Sequence, residues 1–185
     1  MRISGGKYKS RRIKVSRAFR SRPTTDYAKE GLFNILSNHF NLSEIRFLDL
    51  FTGTGSIGLE MASRGCTNAE LVDENRALVH HLKEILNELG AEGIRPVHSE
   101  VFTYIRICKK LYDIIFADPP YDMKSLKELP DAVLGKEILL PGGWFILEHP
   151  GTYDFSGHPS FFDSRRYGDV HFSFFKQKDA GILPA

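Results

Sequence analysis

Five short apolar runs set the architecture of this chain: IRFLDLF (45–51), AELVD (69–73), IRPVH (94–98), YDIIFA (112–117) and GWFILE (143–148). Their length and their β-branched and aromatic content predict strands. Between the second and third, Leu78, Leu82, Ile85 and Leu89 recur at helical spacing from Asn75 to Gly90, which predicts an amphipathic helix capped at both ends. Ahead of the first, RPTTDYAKEGLFNILSNHF offers Thr24, Thr25 and Asp26 as caps and then Ala28, Leu32, Ile35 and Leu36 on one helical face. Strands alternating with helices need crossover connections, and these are right-handed, so the expected fold is α/β with a mostly parallel sheet covered on both faces. The segment HPSFFDSRRYGDVHFSFFKQK has no helical period and reads as a closing β-hairpin with Tyr167-Gly168-Asp169 near its turn. At 185 residues the chain suits one domain with an appendage. The boundaries fall at 1–22 for an N-terminal arm, 23–178 for the domain and 179–185 (DAGILPA) for a loose tail.

Charge divides the chain in the same way. No acidic residue precedes Asp26, whereas Arg2, Lys7, Lys9, Arg11, Arg12, Lys14, Arg17, Arg20 and Arg22 give nine positive charges. The body then carries 16 basic and 23 acidic residues. A basic block of this kind suits a polyanion, because each cation that neutralises a phosphate releases condensed counterions; a solvated tail has the same composition. In RISGGKYKSRRIKV, Ile3, Tyr8, Ile13 and Val15 alternate with the charges around a Gly5-Gly6 turn signal, which favours a hairpin. No run is long and apolar enough for a membrane span, and the first residues lack the apolar centre of a secretory signal, so a cytoplasmic protein is expected. Cys66 and Cys108 form no CxxC pair and have no histidine at metal-ligand spacing; no metal is expected.

In an open parallel sheet, ligands bind outside the carboxyl ends of the strands. The first strand runs into DLFTGTGSIG, in which Gly53, Gly55 and Gly58 have GxGxxG spacing. Glycines there permit a tight turn and close approach of a ligand to the backbone, although packing alone also selects them. Asp73 ends the second strand twenty residues after Gly53, where a carboxylate can accept both ribose hydroxyls. A nicotinamide dinucleotide would bring its pyrophosphate against Asp49, just before the glycine turn. S-adenosylmethionine brings a cationic sulfonium and an ammonium group instead, and these suit Asp49. Glu100 follows the third strand, where it could accept from an adenine amino group while the Val101 N–H donates to the ring; an exposed loop acid is the other reading. At the end of the fourth strand stand Asp118-Pro119-Pro120-Tyr121. The Asp118 side chain and the Pro119 carbonyl offer two acceptors to an exocyclic NH₂, and Tyr121 offers a face for a base. Glu148-His149-Pro150 reads as a strand end near this crevice, with a catalytic Glu-His pair as the other reading; Trp144 reads as core, and His80-His81 as a solvated helix face.

FLDLFTGTGSIGLE with DPPY resembles the class I S-adenosylmethionine-dependent methyltransferases that act on exocyclic amino groups of nucleic-acid bases. With RISGGKYKSRRIKV, RPTTDYAKEGLFNIL, FADPPYD and YGDVHFSFF in this order, the chain resembles the RsmD-type 16S rRNA guanine-N2 methyltransferases over nearly its whole length. The resemblance implies a monomeric Rossmann-like fold with a seven-stranded sheet, S-adenosylmethionine as donor, and one guanine of 16S rRNA in an assembled or assembling 30S particle as target. It places Asp73 at the ribose-binding acid, often Glu in such enzymes, and Glu100 at a site often filled by Asp or Asn. The expected cofactor set is Asp49, Phe51, Gly53, Gly55, Asp73, Glu100 and Val101, with Thr24 and Thr25 where the arm meets the domain. Asp118, Pro119 and Tyr121 form the expected catalytic set, and Lys7, Lys9, Arg11, Arg12 and Arg22 the RNA-binding set. Three other functions remain open to test: a DNA amino-methyltransferase, a dehydrogenase resting on GxGxxG alone, and a non-catalytic rRNA-binding assembly factor.

Overall fold

In the computed structural model, which describes residues 1–13 and 25–177, the five apolar runs become five parallel strands of one seven-stranded sheet. The strands β1 (Phe47–Asp49), β2 (Ala69–Asp73), β3 (Ile94–His98), β4 (Tyr112–Ala117) and β5 (Leu139–Pro150) lie in the order β3-β2-β1-β4-β5. The closing hairpin, β6 (Phe161–Tyr167) and β7 (Val170–Lys176), adds to this edge with β7 antiparallel between β5 and β6. The winding reverses beside β1, because β2 and β3 extend one way from it and β4 and β5 the other. Such a reversal leaves a crevice above the ends of β1 and β4. Residues 14–24, with Arg22 and Thr24 among them, and the tail 178–185 lie outside the described residues.

Two strands depart from their expected bounds. β1 is shorter than 45–51: the Arg46 N–H donates to the Asp113 carboxylate at 2.7 Å, and after the strand the Phe51 N–H turns back to Asp49 Oδ1 at 3.3 Å. β5 begins at Leu139, earlier than 143–148, because its first pair, Tyr112 with Leu139, is separated by a register shift from the run that starts at Trp144.

Among the described residues five α-helices flank the sheet: α1 (Asp26–His39), α2 (Ser56–Ser63), α3 (Arg76–Leu89), α4 (Val101–Ile107) and α5 (Leu129–Gly135). α3 is capped as its sequence predicts. Asn75 Oδ1 accepts from the Ala77 and Leu78 N–H groups, and Gly90 ends the helix in the left-handed conformation at φ 60°. α1, α2 and α3 bury Leu32, Ile57 and Leu82 on one face of the sheet with Phe47, Phe116 and Ile146. α4 and α5 bury Tyr104, Ile105, Leu129 and Val133 on the other with Leu48, Ile115 and Leu147. Trp144 is core, as expected, and the two cysteines are buried on opposite faces.

The N-terminal segment folds back on itself through a single bridge between Arg2 and Arg12, with Ser10 N–H donating to the Ile3 carbonyl. The reversal is a loop over residues 4–10, not a two-residue turn at Gly5-Gly6. These glycines serve close approach: a Cβ on Gly6, at φ 72°, would stand 1.8 Å from the Ser63 carbonyl oxygen. Ile3 and Tyr8 are buried in the α1/α2 core, while Lys7, Lys9, Arg11 and Arg12 are exposed. Beneath the loop, the fully buried Glu60 carboxylate of α2 accepts from Ser4 N–H, Ser4 Oγ, Gly5 N–H and Arg64 Nε at 2.8–3.0 Å. The buried Lys29 ammonium of α1 lies 3.6 Å from Glu60 and donates to the Arg2 carbonyl at 2.7 Å.

Candidate functional site

The carboxyl ends of β1, β2, β3, β4 and β5 open into one cleft of about 610 Å³. Its position follows from the sequence: each strand stops where a polar or glycine-rich stretch begins, and the reversal of winding keeps those ends uncovered. Around it stand Asp49 and Phe51 from the end of β1, Gly53 in the following turn, Asp73 from β2, and Glu100 and Val101 after β3. Asp118, Pro119 and Tyr121 line the same cleft beyond β4. The sequence therefore brings its strand-end residues together. Gly55 does not line the cleft; it is the left-handed N-cap of α2 at φ 82°, and a Cβ there would meet Leu82 Cδ1 at 2.5 Å.

Besides Asp49 with its Phe51 N–H, two acids are already bonded to backbone. Asp73 accepts from the Gly53 and Asn75 N–H groups, both at 2.8 Å, so it holds the glycine turn while facing the cleft. Glu100 is the N-cap of α4, accepting from Phe102 and Thr103 N–H at 2.8 Å each. These bonds outweigh its partial burial and hold its carboxyl below the usual range. Each oxygen keeps a second lone pair for a ligand. Thr25 is the N-cap of α1, its hydroxyl accepting from the Ala28 N–H at 3.2 Å, and it is not among the cleft residues.

Asp49 is the acid most altered by its surroundings. It is 1% exposed, and burial pushes its carboxyl up to about 7, with the neighbouring Asp73 adding to the effect. Beside it, the buried Thr52 hydroxyl draws the Asp49 carboxyl back down in part and has no other partner among the described residues. The lining also contains Glu74 and Glu148, which makes six carboxylates and, among the described residues, no Lys, Arg or His. Such a cleft attracts cations and rejects phosphates.

Glu148 and His149 separate at the strand end. Glu148 is 2% exposed and lines the cleft. His149 points to the opposite face, where its Nε2 lies 2.8 Å from Ser173 Oγ and its ring packs against Phe155; burial keeps the imidazole below its ordinary pKa. Strand alternation was the available signal for this separation. Thr52 and Val170, also in the lining, carried no such signal. Among the described residues there is no group of three or more metal-ligating side chains, and no helix is long and apolar enough to cross a membrane.

Comparison with known proteins adds a second line. The family described as Conserved hypothetical protein 95 matches residues 1–176. The Ribosomal RNA small subunit methyltransferase D of Buchnera aphidicola subsp. Baizongia pistaciae is 34% identical over 152 residues, covering 82% of this chain and 77% of that one. The hypothetical protein TTHA0928 of Thermus thermophilus superposes with a TM-score of 0.84 at 31% identity, over 95% of this chain and 99% of that one. At 19% identity and a TM-score of 0.54, coclaurine N-methyltransferase bound to N-methylheliamine and SAH shares the fold over 69% of this chain and 36% of its own.

Proposed function

From membership of the Conserved hypothetical protein 95 family, to which this chain belongs, we propose that the protein methylates ribosomal RNA with S-adenosylmethionine as donor, at the exocyclic N2 of one guanine in 16S rRNA. The observation that carries this reading is the acidic cleft at the winding reversal, six carboxylates and, among the described residues, no basic side chain, with Asp118-Pro119-Pro120-Tyr121 at its rim. A dinucleotide cofactor would meet that charge with its pyrophosphate, which argues against a dehydrogenase.

The residues present suit the donor. Asp49 and the buried Thr52 hydroxyl face its cationic and polar end, Asp73 its ribose, and Glu100 with the Val101 N–H its adenine. S-adenosylmethionine supplies a methyl group on a sulfonium, and the S–CH₃ electron pair stays with sulfur when that bond breaks. Guanine N2 is a poor nucleophile because its lone pair is delocalised into the ring. Asp118 and the Pro119 carbonyl accept the two amino protons, which orients N2 and concentrates lone-pair density there; Tyr121 stacks on the flipped base. As the N–CH₃ bond forms, one of these protons leaves toward the Asp118 carboxylate or water. Lys7, Lys9, Arg11 and Arg12 hold rRNA phosphates without reading sequence, and Arg22 belongs to the same basic set. The protein acts as a monomer on the 30S particle, in the cytoplasm.

Two expected results arise here. Asp49 must be charged to hold a sulfonium, and it is half protonated near pH 7 in the empty protein, so binding the donor expels a proton. Affinity for S-adenosylmethionine, measured by calorimetry, should tighten roughly tenfold from pH 6 to pH 8 and level off above. Asp49→Asn should flatten that profile; an unchanged slope would remove Asp49 from the donor site. The sign is opposite for the empty fold, which loses stability as pH rises from about 4 to about 7 because a buried carboxyl must ionise.

The second concerns RNA. Lys7, Lys9, Arg11 and Arg12 surround a loop bonded to the C-terminal turn of α2, whose N-terminus opens on the cleft about 12 Å away. Replacing all four by Ala should weaken 30S binding and lower the slope of log K against log salt by about 3. Donor binding should not change. An unaltered salt slope would leave the loop solvated and without an RNA role.

The deciding assay is transfer of labelled methyl from S-adenosylmethionine to 30S particles from cells lacking the protein, with nucleoside analysis. N2-methylguanosine at one site establishes the reading. Label on duplex DNA with none on particles makes it a DNA methyltransferase. Donor binding with no label anywhere, joined to a cellular defect on loss of the basic loop, makes it an assembly factor.

A further inference from the structure

The reaction proposed above must also tell guanine from adenine, since each presents an exocyclic amino group. Beside that group guanine carries N1–H, a donor, whereas adenine carries N1 with a lone pair, an acceptor. Asp118 and the Pro119 carbonyl engage the amino protons in both cases. Base identity therefore falls to whatever faces position 1.

Glu148 stands where such a group is needed. The last Cα partners of β4 and β5 are Ala117 and Leu147, so Asp118 and Glu148 come next on neighbouring strand ends, which lie about 4.8 Å apart. Along β5, Trp144 and Ile146 face the α1/α2 core and Phe145 and Leu147 the opposite one. Alternation thus sends Glu148 to the α1/α2 side, which Phe116 of β4 and Asp49 of β1 share, and all three line the cleft. The strand order β1-β4-β5-β7 then arranges Asp49, Asp118, Glu148 and Val170 in sequence across it. Asp49 lies with Gly53 and Asp73 at the donor end. Glu148 lies on the other side of Asp118, opposite Phe172 of β7 and toward Val170, where a base presented to Asp118 would extend.

Resting on that reading of the reaction, we infer that Glu148 accepts the N1–H of the target guanine and so determines base identity. An ionised carboxylate has acceptors and no donor, and it is this form of Glu148 that reads N1–H. Opposite guanine it completes a row of three acceptors against three protons on one edge: two on N2 and one on N1. Opposite an adenine-type N1, two lone pairs face each other in a buried site, and neither can be satisfied. Sites built to hydrogen-bond one group reject the analogue that lacks it far more strongly than apolar pockets do. The 2% exposure of Glu148 supplies the required exclusion of water.

The test uses 2-aminopurine, which keeps the N2 amino group and replaces N1–H by an acceptor; it also lacks O6, so the discriminating result is the change in base preference on Glu148→Gln. Reconstituted 30S particles carry either guanine or 2-aminopurine at the methylated position, introduced by ligation into the 16S rRNA. The full chain should show kcat/KM at least about 100-fold lower on 2-aminopurine, and Glu148→Gln should lose about 100-fold on guanine while gaining on 2-aminopurine, to which its amide NH₂ can donate. The ratio between the bases should collapse to within about tenfold, with S-adenosylmethionine affinity unchanged as the sign of an intact fold. Equal loss on both bases would give Glu148 a structural role and overturn the inference. So would a wild-type protein that uses 2-aminopurine as well as guanine. Absence of label on guanine with the wild-type protein would instead overturn the reaction itself, and this role with it.

Discussion

Asp118→Ala should lower kcat for methyl transfer by about a thousandfold or more while leaving S-adenosylmethionine affinity within a few-fold. The asymmetry follows from position. Asp49, Asp73 and Glu100, the acids proposed to face the donor, come from β1, β2 and the turn after β3, whereas Asp118 follows β4 across the winding reversal. Removing it takes one of two acceptors from the amino group and leaves the nucleophile unaligned, so the loss falls on the chemical step. Asp118→Asn keeps an acceptor oxygen in the same place and should retain more activity, losing roughly 10- to 100-fold. Single-turnover kinetics with donor binding measured separately checks both variants. A fall in donor affinity matching the fall in rate would move Asp118 into the donor site.

The largest effect on stability is expected at Glu60. Glu60→Ala should cost about 3–5 kcal/mol in urea unfolding, because it strands the Lys29 ammonium in the core and leaves the Ser4 and Gly5 N–H groups without their acceptor. Lys29→Met in the same background should recover part of the loss, since the uncompensated charge goes with it. Acid should act in the same direction. Burial alone would raise the Glu60 carboxyl, yet its bonds to Ser4 and Arg64 and the nearby Lys29 hold it below the usual range. The stability it contributes is therefore present above about pH 4.5 and lost as pH falls. A cost below about 1 kcal/mol would mean that the node behaves like an exposed salt bridge.

These two residues differ in how legible they were. Asp118 could be read because an apolar run ends in Asp-Pro-Pro-Tyr, and the break in pattern marks the strand end. Glu60 could not: α2 is buried on nearly every side, so its eight residues show no amphipathic period, and an acid within them looks like any helical glutamate. α3 was legible through Leu78, Leu82, Ile85 and Leu89 and both caps. α4 and α5, at seven residues each, are too short for a period to emerge, and Glu100 carried the role of a ligand acid while also being the cap of α4. Gly5 and Gly6 signalled a turn from sequence because glycine permits one. What they permit here is close contact with α2, where Gly5 meets Glu60 55 residues away, and local sequence holds no trace of such a partner.

The insertion of β7 between β5 and β6 sets the order in which a growing chain can finish this molecule. When β5 has been made, its outer edge has no strand to pair with, and β7, which brings Phe172 and Phe174 to one core and Phe175 to the other, has yet to be synthesised. Val170, at the start of the same strand, is also a wall of the cleft. The lining that β1 to β4 and their following turns supply is thus made first, and the wall at Val170 is supplied by the last strand of the sheet. The cleft is therefore open along one wall until the closing hairpin has paired with β5.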